Sequence, residues 1–467
     1  MLLDGLLSED PNVARVPIPH FGFIDDFRLV GQKIHNVPIL GNLSDLSALI
    51  TKHRIEELII AVTAISSEKM RQIVEQCRTL GVRFKSVPRI GDLLCGRMTN
   101  YQLRDVDISD LLKRSPKDLD TCSISNLVNG KCVLITGAGG SIGTELCLQV
   151  ARFGIAEMIL VEKSENHLYT VCTKIGDQFP QIKLYPYLIS TTKSLEMERI
   201  FATHRPYVVF HAAAYKHVHI CEENICETVI NNVEGTVHTA RLSHQYNVHK
   251  FVFISTDKAV NPVGVMGMTK RVGELCVQAM NHRSDTQFIT VRFGNVLESS
   301  GSAIPRFKEQ IQKGGPVTIT HPEATRYLML LEEAIQLILQ ATSMGRGGEI
   351  FVLDMGQPIR IIDMAKDLIA LMGFRPEKDI PITFSGLRPG EKLHERLFEA
   401  SSKMSQIHSG LLVTQSQAPL WEELKNRIDN LLWHAQDNPK ATLAALREIC
   451  TPESGATFDH PITNLSQ

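Results

Sequence analysis

The sequence has no charge excess, no long apolar run, no cysteine pattern and no internal repeat. Its 49 basic residues nearly balance 51 acidic ones, leaving a net charge of −2. That balance excludes an acidic tail protein and the broad basic surface a nucleic-acid partner needs. The longest apolar stretches, such as residues 58–62, are strand-sized, far short of the roughly 20 residues a membrane helix requires. The start, MLLDGLLSED, lacks the basic segment and apolar core of a signal peptide. Ten cysteines are scattered without a CxxC, and the closest pair, Cys221 and Cys226, lacks metal-ligand spacing. No metal is expected, and a reducing cytoplasm is expected rather than a disulfide scaffold. Glycine (31) and proline (21) stay near ordinary levels, which excludes a disordered or collagen-like chain.

What is present is length. At 467 residues and 52.1 kDa, with 43% hydrophobic residues, the chain can fill two or three cores. Residues 38–40, 57–62 and 82–87 read as short strands, with helices near 44–52 and 68–80 between them. This rhythm implies a small parallel α/β unit. A polar connector with a short helix at 108–112 is expected over 96–128. Apolar strands then recur at 132–136, 157–161, 207–211, 251–255 and 288–292, with helical stretches in the gaps. The spacing predicts a doubly wound parallel (Rossmann) sheet. After about 301 the pattern turns irregular, and an amphipathic stretch over 421–449 ends the fold. The expected division is 1–118, a truncated Rossmann-like domain and connector; 119–400, the catalytic domain with a small substrate-binding region; and 401–467, a helical tail.

Three motifs carry chemistry. TGAGGSIG, residues 136–143, follows a predicted strand and opens a predicted helix. Gly137 and Gly140 suit a tight turn beside a pyrophosphate, Gly143 suits close helix–strand packing, and Gly139, Ser141 and Ile142 complete the turn. Glu162 ends the next strand, where a ribose-binding carboxylate belongs, and an acid there favours NAD over NADP. Lys163 beside it pulls the other way. Second, Ser255-Thr256-Asp257-Lys258 ends a predicted central strand, where open α/β sheets place ligands; a capping turn is the plainer alternative. Third, Met266 stands four residues before Lys270, on one helix face. A Tyr-x-x-x-Lys does occur at Tyr246 and Lys250, but it precedes a strand, at the wrong end of the sheet.

TGAGGSIG, HAAAYKHV, NNVEGT, STDKAVNPVGVMGMTKR, VRFGNVL, SGSAIPRF, GGPVTITHPEATRY and RPGEKLHE occur in this order. Together they resemble the polysaccharide-biosynthesis (CapD-like) family of extended short-chain dehydrogenase/reductases, which act as UDP-N-acetylglucosamine 4,6-dehydratases. The resemblance covers roughly 35–450. It implies that Asp257 is the acid at C6, Lys258 the base at C5 (which requires a lowered pKa) and Lys270 the cofactor lysine, with Thr256 at O4. Members of the large class carry Met where others have Tyr, so Met266 agrees with it. The 4-OH proton then needs another acceptor, and a water relayed by Asp257 or Lys270 is the expectation. Ala212 and Ala213 would line the cofactor, NAD. Lys216 and His217 would approach the sugar, Asn232 would support the site backbone, and Asn295, Arg326, Arg388 and Glu391 would grip the diphosphate.

GFIDD, VPILGN and QLRDVDISDLL are similar to the extra N-terminal domain of large members, which usually follows membrane helices. That domain is expected to bind no nucleotide and to serve assembly. Those helices are absent here, which implies a cytoplasmic protein with room for peripheral association with a membrane. The resemblance also implies a homo-oligomer formed through helices flanking the active site. Departures from the family pattern stand at Ser190, usually acidic, at His219, usually Pro, and at Glu298, usually Gly. Two rivals remain: a sugar-nucleotide epimerase or oxidoreductase, and a degenerate NAD-binding assembly subunit.

Overall fold

The computed structural model describes residues 22–26, 29–34, 37–61, 67–86, 104–105, 119–297, 299, 301–399, 404–414 and 419–451. The expected helix at 108–112, Cys95 and Glu298 lie outside them. The chain forms two compact units. One holds residues 1–116, 307–318 and 363–383; the other holds 117–306, 319–362 and 384–467. The first break falls near the expected 118. The expected catalytic span 119–400, however, gives two segments to the first unit, and the expected tail 401–467 is no separate element.

In the first unit, Phe23–Ile24, Val37–Gly41 and Lys33–Ile34 make one small sheet. Glu57–Ile60 and Arg83–Ser86 pair in parallel in another. The helices Leu46–His53 and Ser67–Thr79 accompany them, as the alternating pattern implies. Leu46, Leu49 and Ile50 are buried at helical spacing, and so are Met70, Ile73, Val74 and Cys77.

The second unit is built on a nine-stranded sheet. Its strands are β1 (Cys132–Thr136), β2 (Glu157–Glu162), β3 (Lys183–Leu188), β4 (Val208–His211), β5 (Lys250–Ile254), β6 (Gln287–Arg292), β7 (Ile350–Leu353), β8 (Ser405–His408) and β9 (Leu411–Thr414). The order is β8-β9-β7-β6-β5-β4-β1-β2-β3. Strands β1 to β7 run parallel, and β9 and β8 extend the edge antiparallel. The chain therefore starts in the middle, winds outward to β3, and returns to start again at β4. This reversal opens a crevice at the carboxyl ends of β1 and β4. Every residue of β4, β5 and β7 is buried, as parallel strands covered on both faces require.

Helices cover both faces. On one side lie α1 (Ser141–Ala151), α2 (Glu165–Gln178) and a later helix, Leu331–Met344, burying Leu146, Val150, Val171, Ile335 and Ile338. On the other lie α3 (Ser194–His204), α4 (Gly235–Gln245) and α5 (Val265–Asn281). The stretch over 421–449 is two helices, α6 (Trp421–His434) and α7 (Pro439–Cys450), broken where Asn438 caps the second and Pro439 starts it. Leu424, Ile428, Leu431, Leu446 and Ile449 bury against the core that contains α5. The tail belongs to this unit for that reason: its apolar stripe closes a layer that α5 alone leaves open.

The five expected strands are β1, β2, β4, β5 and β6; β3, β7, β8 and β9 escaped the sequence pattern, and so did two helical elements. Thr121–Val128, read as connector, is a helix capped by the Asp120 side chain on the amide of Ser123 at 2.9 Å. Residues Ile230–Glu234 form a π-helical turn inside the helical run that leads into α4. Such bulges concentrate at functional sites.

Candidate active site

The glycine turn leaves β1 and opens α1. Gly137 sits at φ +64°, and a Cβ on it would lie 2.7 Å from the Cα of Ala213. A Cβ on Gly143 would collide with the carbonyl oxygen of Gly137. Only glycine fits either place. The amino end of α1 follows this turn, and a helix amino terminus is a favourable place for anionic oxygens. Gly139 and Gly140 lie in the expected turn, and Ser141 and Ile142 open α1. Glu162 ends β2, and its carboxylate accepts from the amides of Gly139 (3.1 Å), Lys163 (2.9 Å) and Ser164 (3.0 Å).

Lys163 reaches Asn231 Oδ1 at 3.0 Å, donates to the hydroxyl of Tyr215, and lies 3.7 Å from the Tyr215 ring centroid. Since β1 lies between β2 and β4, this side chain crosses the carboxyl end of β1. Burial lowers its pKa. Ser190 bonds Thr192 at 2.9 Å in a local turn.

His211 closes β4 and is fully buried. Its Nδ1 meets Thr136 Oγ1 at 2.9 Å and its Nε2 meets Thr236 Oγ1 at 3.0 Å. Burial, then the charge of Lys270, pushes its pKa down to about 3. Ala212 follows, donating its amide to Thr136 O at 3.2 Å. Asn232, in the π turn, accepts from the Tyr215 amide (2.8 Å) and donates to Tyr215 O (3.1 Å) and Thr269 Oγ1 (3.1 Å). One amide thus ties the loop after β4 to α5. Lys216 is exposed and His217 half-buried beside it, and burial lowers the His217 pKa.

The second motif makes a single turn after β5. Thr256 Oγ1 and Lys258 Nζ both donate to Asp257 Oδ1, each at 2.9 Å. Lys258 Nζ also donates to Asn295 Oδ1 at 2.8 Å and pairs with Glu395 Oε1 at 3.6 Å. Asn295, expected at the diphosphate grip, bonds the lysine in this structure. Its short strand pairs with Leu328–Met329, and that register sets its side chain. Burial alone would lower the Lys258 pKa, but Asp257 and then Glu395 hold it above the ordinary lysine value. The expectation of a lowered value fails, because the sequence does not reveal a second anion at the amine.

Met266 and Lys270 lie one turn apart on α5. The helix start is capped by the Glu222 carboxylate on the Val265 amide at 2.6 Å. Lys270 Nζ donates to Ile254 O at 2.8 Å, and burial lowers its pKa to about 8 against a smaller raising effect of Glu274. A cleft of about 10 Å³, no more than water-sized, is lined by Met266, Lys258, Lys392 and Glu395. Behind the turn, Ser255 Oγ donates to Glu274 at 2.7 Å, and Arg292 grips the same carboxylate with two bonds of 2.6 Å. Arg326 Nη2 pairs with Glu391 at 2.7 Å. Arg388 Nη1 donates to His219 Nδ1 at 3.4 Å, so the unusual histidine partners an expected arginine.

Tyr246 and Lys250 are elsewhere, as their place before β5 implies. Lys250 Nζ donates to Thr342 O and Gly345 O, both at 2.7 Å, at the carboxyl end of the helix Leu331–Met344. The sequence reading missed Glu274, Arg292, Lys392 and Glu395. The last two stand inside RPGEKLHE, and a buried-charge pattern within that motif was the available signal.

The strand order, the glycine turn and the residues gathered at the carboxyl ends of β1, β4 and β5 define an α/β protein of the short-chain dehydrogenase/reductase fold. The family model described as a polysaccharide biosynthesis protein matches residues 133–416, and one described as a CoA-binding domain matches residues 7–88. The chain belongs to the polysaccharide biosynthesis protein family. It is 45% identical over 363 residues to the capsular polysaccharide biosynthesis protein CapD of Staphylococcus aureus, covering 77% of this chain and 60% of that protein. It is 41% identical over 421 residues to a probable polysaccharide biosynthesis protein, EpsC, of Bacillus subtilis, covering 88% and 69%. The chain therefore spans about two thirds of the length of these relatives.

Among solved structures it resembles Pen from Bacillus thuringiensis, with a TM-score of 0.57 and 28% identity, covering 65% of this chain and 99% of that one. It shares its fold with DesIV, a dTDP-glucose 4,6-dehydratase from Streptomyces venezuelae solved with NAD. There the TM-score is 0.51 and the identity 17%, covering 57% and 88%. Among the described residues no helix is long and apolar enough to cross a membrane.

Proposed function

We propose that the protein is an NAD-dependent sugar-nucleotide 4,6-dehydratase of polysaccharide biosynthesis, acting on UDP-N-acetylglucosamine. The observation that carries this reading is the turn at β5, where one oxygen of Asp257 holds both Thr256 and Lys258. The residues present fit NAD. The turn at Gly137–Gly143 leaves no room for a side chain at either end, and Glu162 stands beside it for a ribose hydroxyl. When bound, NAD supplies the hydride acceptor and donor of the cycle. Ala212, Ala213 and Lys270 would complete its site.

The chain's own part is proton management. Lys258 rests as an ammonium on Asp257. Passing one proton along this hydrogen bond leaves an amine and a carboxylic acid together. The amine takes the proton from C5 of the 4-keto sugar, and the acid protonates the 6-hydroxyl, which leaves as water. Lys258 is then an ammonium and Asp257 a carboxylate again, so one internal transfer supplies both the base and the acid. Thr256 would bond O4. The thioether of Met266 can accept no proton at neutral pH, so a water beside it would carry the 4-OH proton toward Asp257 or Lys270. The diphosphate would meet Arg326 and Arg388, whose planar forks suit phosphate oxygens, with Glu391 orienting Arg326. Lys216 and His217 would face the sugar. An epimerase would have no use for the Asp257–Lys258 pair.

The test is incubation with UDP-N-acetylglucosamine in D₂O without added NAD. The expected product has lost one water, carries a 6-methyl group and has deuterium at C5. Asp257→Asn should abolish it. Absence of product from every UDP- and dTDP-sugar tried, with NAD added, would sink the reading and favour a cofactor-binding assembly subunit.

A further inference from the structure

Asp257 Oδ2, on the carboxylate that holds Lys258, is buried and has no hydrogen-bond donor. Glu395 is only 6% exposed. Its Oε1 lies 3.6 Å from Lys258 Nζ, and its Oε2 lies 3.5 Å from Lys392 Nζ. Lys392 in turn donates to Val260 O at 2.7 Å, two residues past Lys258. The segment that carries Glu395 is thus fastened to the turn that carries the reacting pair.

The charged groups facing Lys258 are few. Asp257 comes from its own turn, Glu395 and Lys392 from the segment after Gly390, and Arg326 from the strand Thr325–Arg326. Arg326 is already committed to Glu391. Asn295 adds a neutral acceptor. Glu395 is therefore the second anion at the amine, and it is bound to neither the sheet nor the glycine turn.

We propose that Glu395 is a positioning residue that keeps Lys258 an ammonium between turnovers and aims it between Asp257 and Asn295. The catalytic meaning of this rests on the dehydratase reading. With Asp257 alone, handing the proton across would leave no net charge behind. With Glu395 present, the neutral amine forms against a retained negative charge. The free base is then confined to the moment of reaction, and Lys392 limits the strength of the hold by sharing the carboxylate. Nearby opposite charges at such distances shift a lysine by about one to three pH units.

The test uses the full chain without substrate. Competitive acetylation with acetic anhydride across alkaline pH, read by mass spectrometry on the Lys258 peptide, gives the titration of that amine. Glu395→Gln should move it down by about one pH unit or more. Glu395→Asp should restore most of the shift, and Lys392→Met should move it upward. An unmoved titration in both Glu395 variants overturns the proposal and leaves Glu395 as a partner of Lys392 alone. In turnover, the limb of the kcat/KM pH profile should move with the titration. A changed KM with an unmoved limb would also overturn it. Because acetylation needs no substrate, a wild type that makes no dehydrated product defeats the functional reading without touching this result.

Discussion

Glu274→Gln should cost the sheet-bearing unit a large share of its stability. The Glu274 carboxylate is fully buried and takes two 2.6 Å bonds from Arg292, one of 2.7 Å from Ser255 and one of 3.2 Å from Arg271. Arg292 is only 2% exposed. The amide keeps the shape but removes the charge, and it turns a donor toward the guanidinium. Removing one partner of a buried pair typically costs about 3–5 kcal/mol, because the other charge stays desolvated. For a unit of this size that corresponds to a fall in Tm of about 5–10 °C.

Thermal unfolding followed by circular dichroism reads it directly. The matching control is Glu274→Leu combined with Arg292→Met, which removes both charges and keeps the volume apolar. That double variant should recover most of the loss, since apolar replacement of a buried pair is close to neutral. The pH dependence has a defined sign. Burial would raise the Glu274 pKa, but Arg292 and then Arg271 hold it below the ordinary value. The stabilisation is therefore complete above about pH 4.3 and is lost as the pH falls through the lower folded value. The gap between wild type and Glu274→Gln should narrow as the pH falls below about 4.3. An unchanged Tm for the single variant, or a double variant less stable than the single one, would refute the reasoning.

His211, held neutral by burial with its pKa down at about 3, should make the protein lose stability as the pH falls below about 6.5, by about 1.4 kcal/mol per pH unit. The unfolded chain takes a proton there that the folded chain refuses. His211→Asn should flatten that part of the Tm-against-pH curve, and an unaltered slope counts against the assignment. Gly143→Ala should cost about 1–3 kcal/mol through the clash with the Gly137 carbonyl and weaken NADH binding, read by fluorescence titration. Normal binding would mean that the turn tolerates a shift.

Much of the candidate site was legible because its signals are local. The glycine turn, Glu162, the Thr256–Lys258 turn and the Met266–Lys270 spacing each sit within a few residues of a strand or helix end. The doubly wound sheet was legible because buried parallel strands read as short apolar runs at regular intervals. Where the pattern is weaker, the reading stopped. β3 mixes exposed and half-buried residues at the sheet edge, and β7, β8 and β9 are four-residue strands in a region whose pattern is irregular. The tail joins the second unit through a packed face, which periodicity alone cannot assign to a partner.

What the sequence by itself determined is which residues can do chemistry: hydroxyl, carboxylate and amine in succession, glycines where no Cβ fits, and an acid at the next strand end. Local stereochemistry is enough for that. What only the tertiary structure decided is the charge those residues carry and the company they keep. Lys258 is held as an ammonium, Asn295 accepts a bond from it, and Glu274 is locked by Arg292. Those pairings join segments far apart in the chain, and the electrostatics of a buried group depend on whatever the fold brings within a few ångströms of it.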